Sequence, residues 1–248
     1  GLGDVYKRQS VEHIKPLPKK YKYVSKNIFF RIFSVFLYRG IVRPLAWLYM
    51  KIRFHHKIKN KQILKQIKTG YFIYGNHTTI IGDAFMPNIL SFKTKNYIIT
   101  GEQANSLTKI LFILKAIGAL PLTDNLKEKK ELFKAIKIRI QQKASITIYP
   151  EAHVWPYYTD IRPFLSESFK YAAKMNVPVV SMTNCFQKRK FRKRPKIVTF
   201  VDGPFYPRED LNTNENAQYL RDLVYQKMKE RVKESSTYSY FNYIKKED

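Results

Sequence analysis

Two histidines stand where an α/β protein keeps its reactive groups. His77 follows the apolar run Tyr71 to Tyr74 as Gly-Asn-His, and His153 follows Ser145 to Tyr149 as Pro-Glu-Ala-His. Asp83 lies a short turn beyond His77, directly after Gly82, and Glu151 shares the second loop with His153. A carboxylate that holds one imidazole nitrogen protonated aims the other as a base, which is the usual apparatus for taking a proton from a hydroxyl. Taken singly, a histidine after a strand is more often a satisfied structural residue; the nearby carboxylates and the shared strand-end setting favour chemistry. No G-x-S-x-G elbow is present, so the attacking hydroxyl belongs to the substrate. The set His77, Asp83, Glu151 and His153 has the donor types of a metal site; the reading adopted needs no metal. His13, His55 and His56 fall in the basic N-terminal part and read as solvated or interfacial. Cys185, the single cysteine, permits no disulfide within the chain and no thiolate zinc cluster, and reads as a small buried hydrophobe in a reducing compartment.

The elements that must position these residues follow from the apolar pattern. Strands are expected at Tyr71 to Tyr74, Asn96 to Thr100, Ala119 to Leu122, Ser145 to Tyr149, Pro178 to Thr183 and Lys196 to Val201. Helices are expected from about Ala84, from a Ser106 cap to Gly118, over Leu126 to Lys143 and over Phe164 to Met175. A last one runs from Glu215 to Glu234, with Leu220, Val224, Met228 and Val232 on one face. A short amphipathic helix is expected over Ile58 to Ile67. Strands alternating with helices imply an α/β fold, a mostly parallel central sheet flanked by helices, with active groups at the carboxyl ends of the strands. Residues 1–9 (GLGDVYKRQ) read as a non-native leader, 10–69 as a basic and apolar helical region, and 70–248 as the α/β domain. No cleavable signal peptide is read at the start.

Apolar residues make up 44% of the chain, enough for a core and too many for disorder. The formal net charge of +27, from 46 Lys and Arg against 19 Asp and Glu, predicts an anionic partner: nucleic acid, an anionic membrane surface, or acidic substrates and carriers. A Lys-rich proteome accounts for part of that excess. The chain has no C₂H₂ spacing, RNP-type motif or KH-type GxxG, which argues against nucleic acid. Residues 27–50 form the most apolar stretch, but Arg31, Arg39 and Arg43 interrupt it, and Gly40 with Pro44 suggests two short helices. That pattern fits a segment lying in a membrane interface better than one crossing it. The run Lys188 to Arg194, six cations in seven residues, is placed in a loop between two strands, where it can meet anionic lipid, a phosphate or an acidic carrier.

At this point the blocks themselves become informative. Gly75 to Asp83 (GNHTTIIGD) resembles the Asn-His…Asp block of the glycerolipid, lysophosphatidate-type acyltransferase family. Gly118-Ala119-Leu120-Pro121 resembles its second block, Tyr149 to His153 its Phe-Pro-Glu-Gly-Thr block, and Val177 to Val180 its Val-Pro-Ile-Val block. The four stand in the family's order from about Tyr71 to Thr183. This chain has five residues between His and Asp where the family has four, and Gly82 is expected to absorb the extra one as a bulge or turn. It also lacks the arginines of the second and third blocks, for which Arg162 or Lys127 is a replacement cation.

The resemblance implies an acyltransferase with His77 as general base and Asp83 as its orienter. Glu151, Arg162, His153 and Lys127 would bind substrate. The donor would be acyl-CoA or acyl-carrier protein as co-substrate, with no cofactor, and the acceptor a lysophospholipid such as 1-acylglycerol-3-phosphate. The expected setting is the cytoplasmic face of the cell membrane, peripheral or monotopic. An acyltransferase acting on another lipid hydroxyl, or a non-catalytic membrane-binding relative, is the alternative.

Overall fold

The computed structural model describes residues 17, 18, 21–91, 93–102, 105, 107 and 109–244. The leader at 1–9, His13 and the Ser106 cap lie outside them. Seven strands form one sheet: β1 (Lys57–Lys59), β2 (Tyr71–Gly75), β3 (Asn96–Thr100), β4 (Ala119–Pro121), β5 (Ser145–Ile148), β6 (Val179–Arg189) and β7 (Arg192–Phe205). Their order across the sheet is β1-β7-β6-β2-β5-β3-β4. From β6 to β4 every pairing is parallel, while β6 and β7 form an antiparallel hairpin, so β7 and its parallel neighbour β1 run the other way. The fold is the expected α/β sheet flanked by helices.

Seven α-helices accompany it among the described residues: α1 (Ile28–Phe36), α2 (Arg43–Phe54), α3 (Gly82–Leu90), α4 (Leu111–Ile117), α5 (Leu126–Gln141), α6 (Lys170–Met175) and α7 (Thr213–Ser235). The central strands β2 and β5 are buried along their whole length because both faces are covered. In β2, Phe72 and Tyr74 join one core with Leu132 and Ile136 of α5 and Leu220, Val224 and Met228 of α7. Tyr71 and Ile73 point the other way, into a second core with Met50 of α2 and Met86 of α3. Asn212 starts α7 with a full capping box to Glu215.

Four local expectations are corrected. The helix expected over Ile58 to Ile67 is the strand β1 followed by a 3₁₀ turn, Lys61–Lys65. The edge of β7 offers Val198 to Phe200 as pairing partners, and that ladder overrides a weak helical pattern. No break separates α1 from α2, because a π-helical turn, Leu37–Val42, joins them. Pro44 comes just after that turn and lacks the N–H that would otherwise join the helical ladder. The helix expected over Phe164 to Met175 begins as a 3₁₀ turn, Glu167–Phe169, and becomes α-helical only in α6. The basic run Lys188 to Arg194 is not a loop either; β6 and β7 extend through most of it, leaving only the turn at Lys190 and Phe191.

The segment from α1 to α2 has its polarity turned inside out. Tyr38 and Arg43, the latter only 3% exposed, face the protein. Arg43 donates to the carbonyls of Asn88, Ser91 and Thr94, which satisfies the carboxyl end of α3. The Tyr38 hydroxyl donates to Asn88 Oδ1 and accepts from the Asn96 amide. Outward lie Phe29 (79% exposed), Ile32, Phe36 (63%), Leu45, Trp47 and Leu48. Phe112 of α4 packs on Phe30 and Phe33 and extends this patch. No helix is long and apolar enough to cross a membrane among the described residues.

Candidate active site

β2 and β5 are parallel neighbours, with Tyr74 beside Ile148. Their carboxyl ends therefore release two loops side by side: Asn76 to Ile81 after β2, and Tyr149 onward after β5. Backbone hydrogen bonds join them, from the Trp155 amide to the His77 carbonyl (2.9 Å) and from the Tyr157 amide to the Thr78 carbonyl (2.8 Å). Asn76, fully buried, fastens the first loop to β6: its amide donates to the Asn184 carbonyl and its Oδ1 accepts from the Asn184 amide.

The His77–Asp83 pair is formed. Nδ1 of His77 lies 2.7 Å from Oδ2 of Asp83. Asp83 is 1% exposed, yet every lone-pair direction it needs is met. Oδ2 also accepts from the Thr78 and Thr79 amides at 2.8 and 2.9 Å, and Oδ1 accepts from the Thr79 hydroxyl at 2.7 Å. These donors satisfy the buried carboxylate without an arginine. Nδ1–H is then the donor to Asp83, and Nε2 is left as the basic nitrogen.

The extra residue between His and Asp does not open the pair. The turn at Ile80 and Ile81 takes it up, and α3 begins at Gly82 so that Asp83 falls in its first turn. Gly82 acts differently from expectation. It has ordinary helical backbone and supplies room rather than freedom: a Cβ there would come within 2.4 Å of Thr79 Oγ1, the hydroxyl that holds Asp83.

Tyr149, to which sequence reasoning assigns no role, joins the pair. Its ring stacks on the His77 imidazole at 4.5 Å and 19°, and its hydroxyl donates to the Asp83 carbonyl at 2.5 Å. One side chain thus fixes the plane of the imidazole and the start of the helix carrying its partner. Gly75 makes this possible, since a Cβ there would lie 2.7 Å from the Tyr149 ring. The signal available in sequence was an aromatic residue at a strand end just before Pro150-Glu151; nothing marked Asn184.

Of the four expected binding residues, the structure brings two together. Arg162 Nε and Nη2 lie 2.9 and 2.8 Å from Glu151 Oε2, the guanidinium also donates to the His153 carbonyl, and it lies over the Trp155 ring at 4.8 Å. Glu151 Oε1 is buried and has no hydrogen-bond partner among the described residues. The His153 side chain is exposed and joins neither Glu151 nor His77; only its backbone contributes, in a turn made by Ala152 at φ 64°. Lys127 is exposed at the start of α5 and bonds to none of these groups. No group of three or more His, Cys, Asp and Glu side chains suited to a metal ion occurs among the described residues. Cys185 is buried within β6, where burial pushes its thiol up to about 12 and disfavours the nucleophilic thiolate.

Burial pushes Glu151 up to about 7 from an ordinary 4.5; Arg162 and His77 pull it back only in part. The folded protein therefore holds this proton more tightly than the unfolded chain. Stability attributable to Glu151 is fully present below about pH 4.5, falls as pH rises to about 7 and is level above it. The loss is roughly 3 kcal/mol at most. Glu151→Gln should flatten that part of the profile, read as urea-unfolding free energy from pH 4.5 to 8. Parallel profiles for the two proteins would refute it.

A family model described as Acyltransferase matches residues 51–184, more than half of the chain. No curated protein matches. Among solved structures, the fold resembles the crystal structure of the 1-acyl-sn-glycerophosphate (LPA) acyltransferase, PlsC, from Thermotoga maritima. The TM-score is 0.56 at 14% identity, covering 82% of this chain and 88% of that one.

Proposed function

The chain belongs to the acyltransferase family, and from that premise we propose that it moves a fatty acyl group from acyl-CoA or acyl-carrier protein to a lysophospholipid hydroxyl, with 1-acylglycerol-3-phosphate as the leading acceptor, in phospholipid biosynthesis. The observation that carries this is the His77 imidazole, tied to a fully satisfied buried carboxylate through Nδ1 and free at Nε2. Nε2 takes the acceptor's hydroxyl proton as that oxygen bonds to the thioester carbonyl carbon. When the C–S bond breaks, the departing thiolate receives the proton from the imidazolium. The Tyr149 stack holds the ring plane through both transfers. The reading is tested by incubating the purified chain with radiolabelled acyl-CoA or acyl-carrier protein and a panel of lyso-acceptors. Transfer to lysophosphatidate is expected; no transfer to any lyso-acceptor from either donor would sink it.

Glu151 and Arg162 belong to the acceptor side of this scheme. They form an ion pair beside His77, in the loop after β5, with Glu151 buried and Arg162 mostly covered. Arg162→Ala should chiefly raise the acceptor KM, as expected for a contact equal in ground and transition states. A fall in kcat at constant KM would show that the arginine acts on the reaction itself.

Docking at the cytoplasmic face of the cell membrane, without spanning it, fits the inside-out segment from α1 to α2. An apolar patch of this extent on a monomer marks an interaction surface, and the surrounding cations suit anionic lipid, each contributing about 1 kcal/mol near the surface. Sedimentation with anionic vesicles should weaken as salt rises. Equal binding to neutral and anionic vesicles at every salt concentration would remove the electrostatic half of the idea.

A further inference from the structure

Beyond the loops that carry His77 and Glu151, a concave site opens between the end of α2 and the β6–β7 hairpin, with a volume of about 790 Å³. Lys51, Arg53 and Lys57 come from one wall and Arg189, Arg192, Lys193 and Arg194 from the other; Tyr240 adds an aromatic ring, and no carboxylate lines it. None of these seven cations is in an ion pair among the described residues; every pair there is made elsewhere. Arg194 keeps a buried Nε with no acceptor. His55, exposed in the same wall, is held below its ordinary value chiefly by Arg189, with Lys51 and Arg192 adding to it. A concave surface of one charge sign concentrates anions, and arginine forks match phosphate oxygens in particular.

The cleft faces the same way as the catalytic loops. β6 runs on from Met182, the register partner of Gly75, to Arg189, so the hairpin tip projects roughly 20 Å past the strand end that carries His77. Tyr157 bridges the two places. Its amide bonds to the Thr78 carbonyl, and its ring packs against Phe54, Phe186 and Tyr240.

We propose that this cleft binds the phosphates of a nucleotide-linked acyl donor, a carrier of the coenzyme A class whose long arm runs past Tyr157 to place the thioester at His77. This deepens the acyltransferase reading and rests on it. The volume is that of a small-molecule site, concave where a lipid surface would need a flat or convex face. The seven unpaired cations match a ligand with several phosphates, and Tyr240 offers a face for a base.

The probe is adenosine 3′,5′-bisphosphate, titrated calorimetrically into the full chain at moderate salt. It should bind saturably, and Arg192→Ala/Lys193→Ala, two exposed hairpin positions, should weaken it about tenfold or more and raise the KM for acyl-CoA by a similar factor. Lys130→Ala/Lys137→Ala on the exposed face of α5 removes the same charge and should bind as wild type. His77→Ala should also bind the bisphosphate normally, so failure of acyl transfer with this binding intact would count against the reaction and not the cleft. Equal affinity in wild type and the hairpin variant would overturn the site. Loss of binding to phosphatidylglycerol vesicles with nucleotide affinity unmoved would reassign it to lipid, and turnover confined to acyl-carrier protein would reassign it to a protein.

Discussion

His77→Ala should lower kcat by ~10²–10⁴-fold, the usual contribution of a positioned general base, while leaving the protein folded. The structure explains why the two effects separate. Asp83 keeps three of its four donors, from the Thr78 amide and from the amide and hydroxyl of Thr79. The β2 and β5 loops remain joined through backbone groups that alanine retains. Glu151, pushed up to about 7, titrates near neutral pH, so the variant and wild type should be compared at pH values on both sides of it. Steady-state rates and circular dichroism measured on the same preparations decide the matter. Near-wild-type turnover by folded His77→Ala would end the assignment of the base.

Asp83→Asn should be the second most damaging change, at roughly a thousandfold. Its route is charge, not shape. Asparagine can keep its oxygen where Oδ2 faces His77 and the two backbone amides, and turn its NH₂ toward Thr79 Oγ1, whose hydroxyl can rotate to accept. The histidine tautomer then survives. What disappears is the attraction that supports the imidazolium, about 4 kcal/mol at a charge separation of about 4 Å and an effective dielectric of about 20. Asp83→Ala should unfold more easily than Asp83→Asn, because it leaves buried amides without an acceptor. A loss below tenfold in Asp83→Asn would mean that the carboxylate serves only as a structural acceptor.

Much of this arrangement was legible before the structure. The runs Tyr71 to Tyr74, Asn96 to Thr100 and Ser145 to Tyr149 read as buried parallel strands because apolar character on both faces leaves a continuous signature. Placing His77 and Glu151 at the ends of adjacent strands then brought the site together. Where the reading failed, interactions distant in sequence decided the outcome. β1 is a strand because β7 had an edge to fill, which nothing local to Lys57–Lys59 announces. The run at 188–194 reads as a loop because it lies between two expected strands, yet those strands extend into a projecting hairpin whose exposed side chains reach solvent. Gly82 was assigned backbone freedom when its value is the space it leaves for Thr79. Arg43 was grouped with interfacial arginines although it is buried against the end of α3. Lys127 was expected near the site by charge alone, and charge carries no direction.

The antiparallel seam between β6 and β7 has an evolutionary consequence. Register with β2 is set over Val179 to Met182, and the last tie to the catalytic loop is Asn184. Beyond Gln187 the hairpin carries no residue of the dyad or its supports, and its ladder already tolerates an irregularity between Gln187 and Arg189. Adding or removing residues there in opposed pairs preserves which side chains face which way. A lineage built on this plan can therefore remodel its outermost cation-rich surface repeatedly while inheriting the His77–Asp83 pair unchanged. The two are separable because one strand outlasts its neighbour.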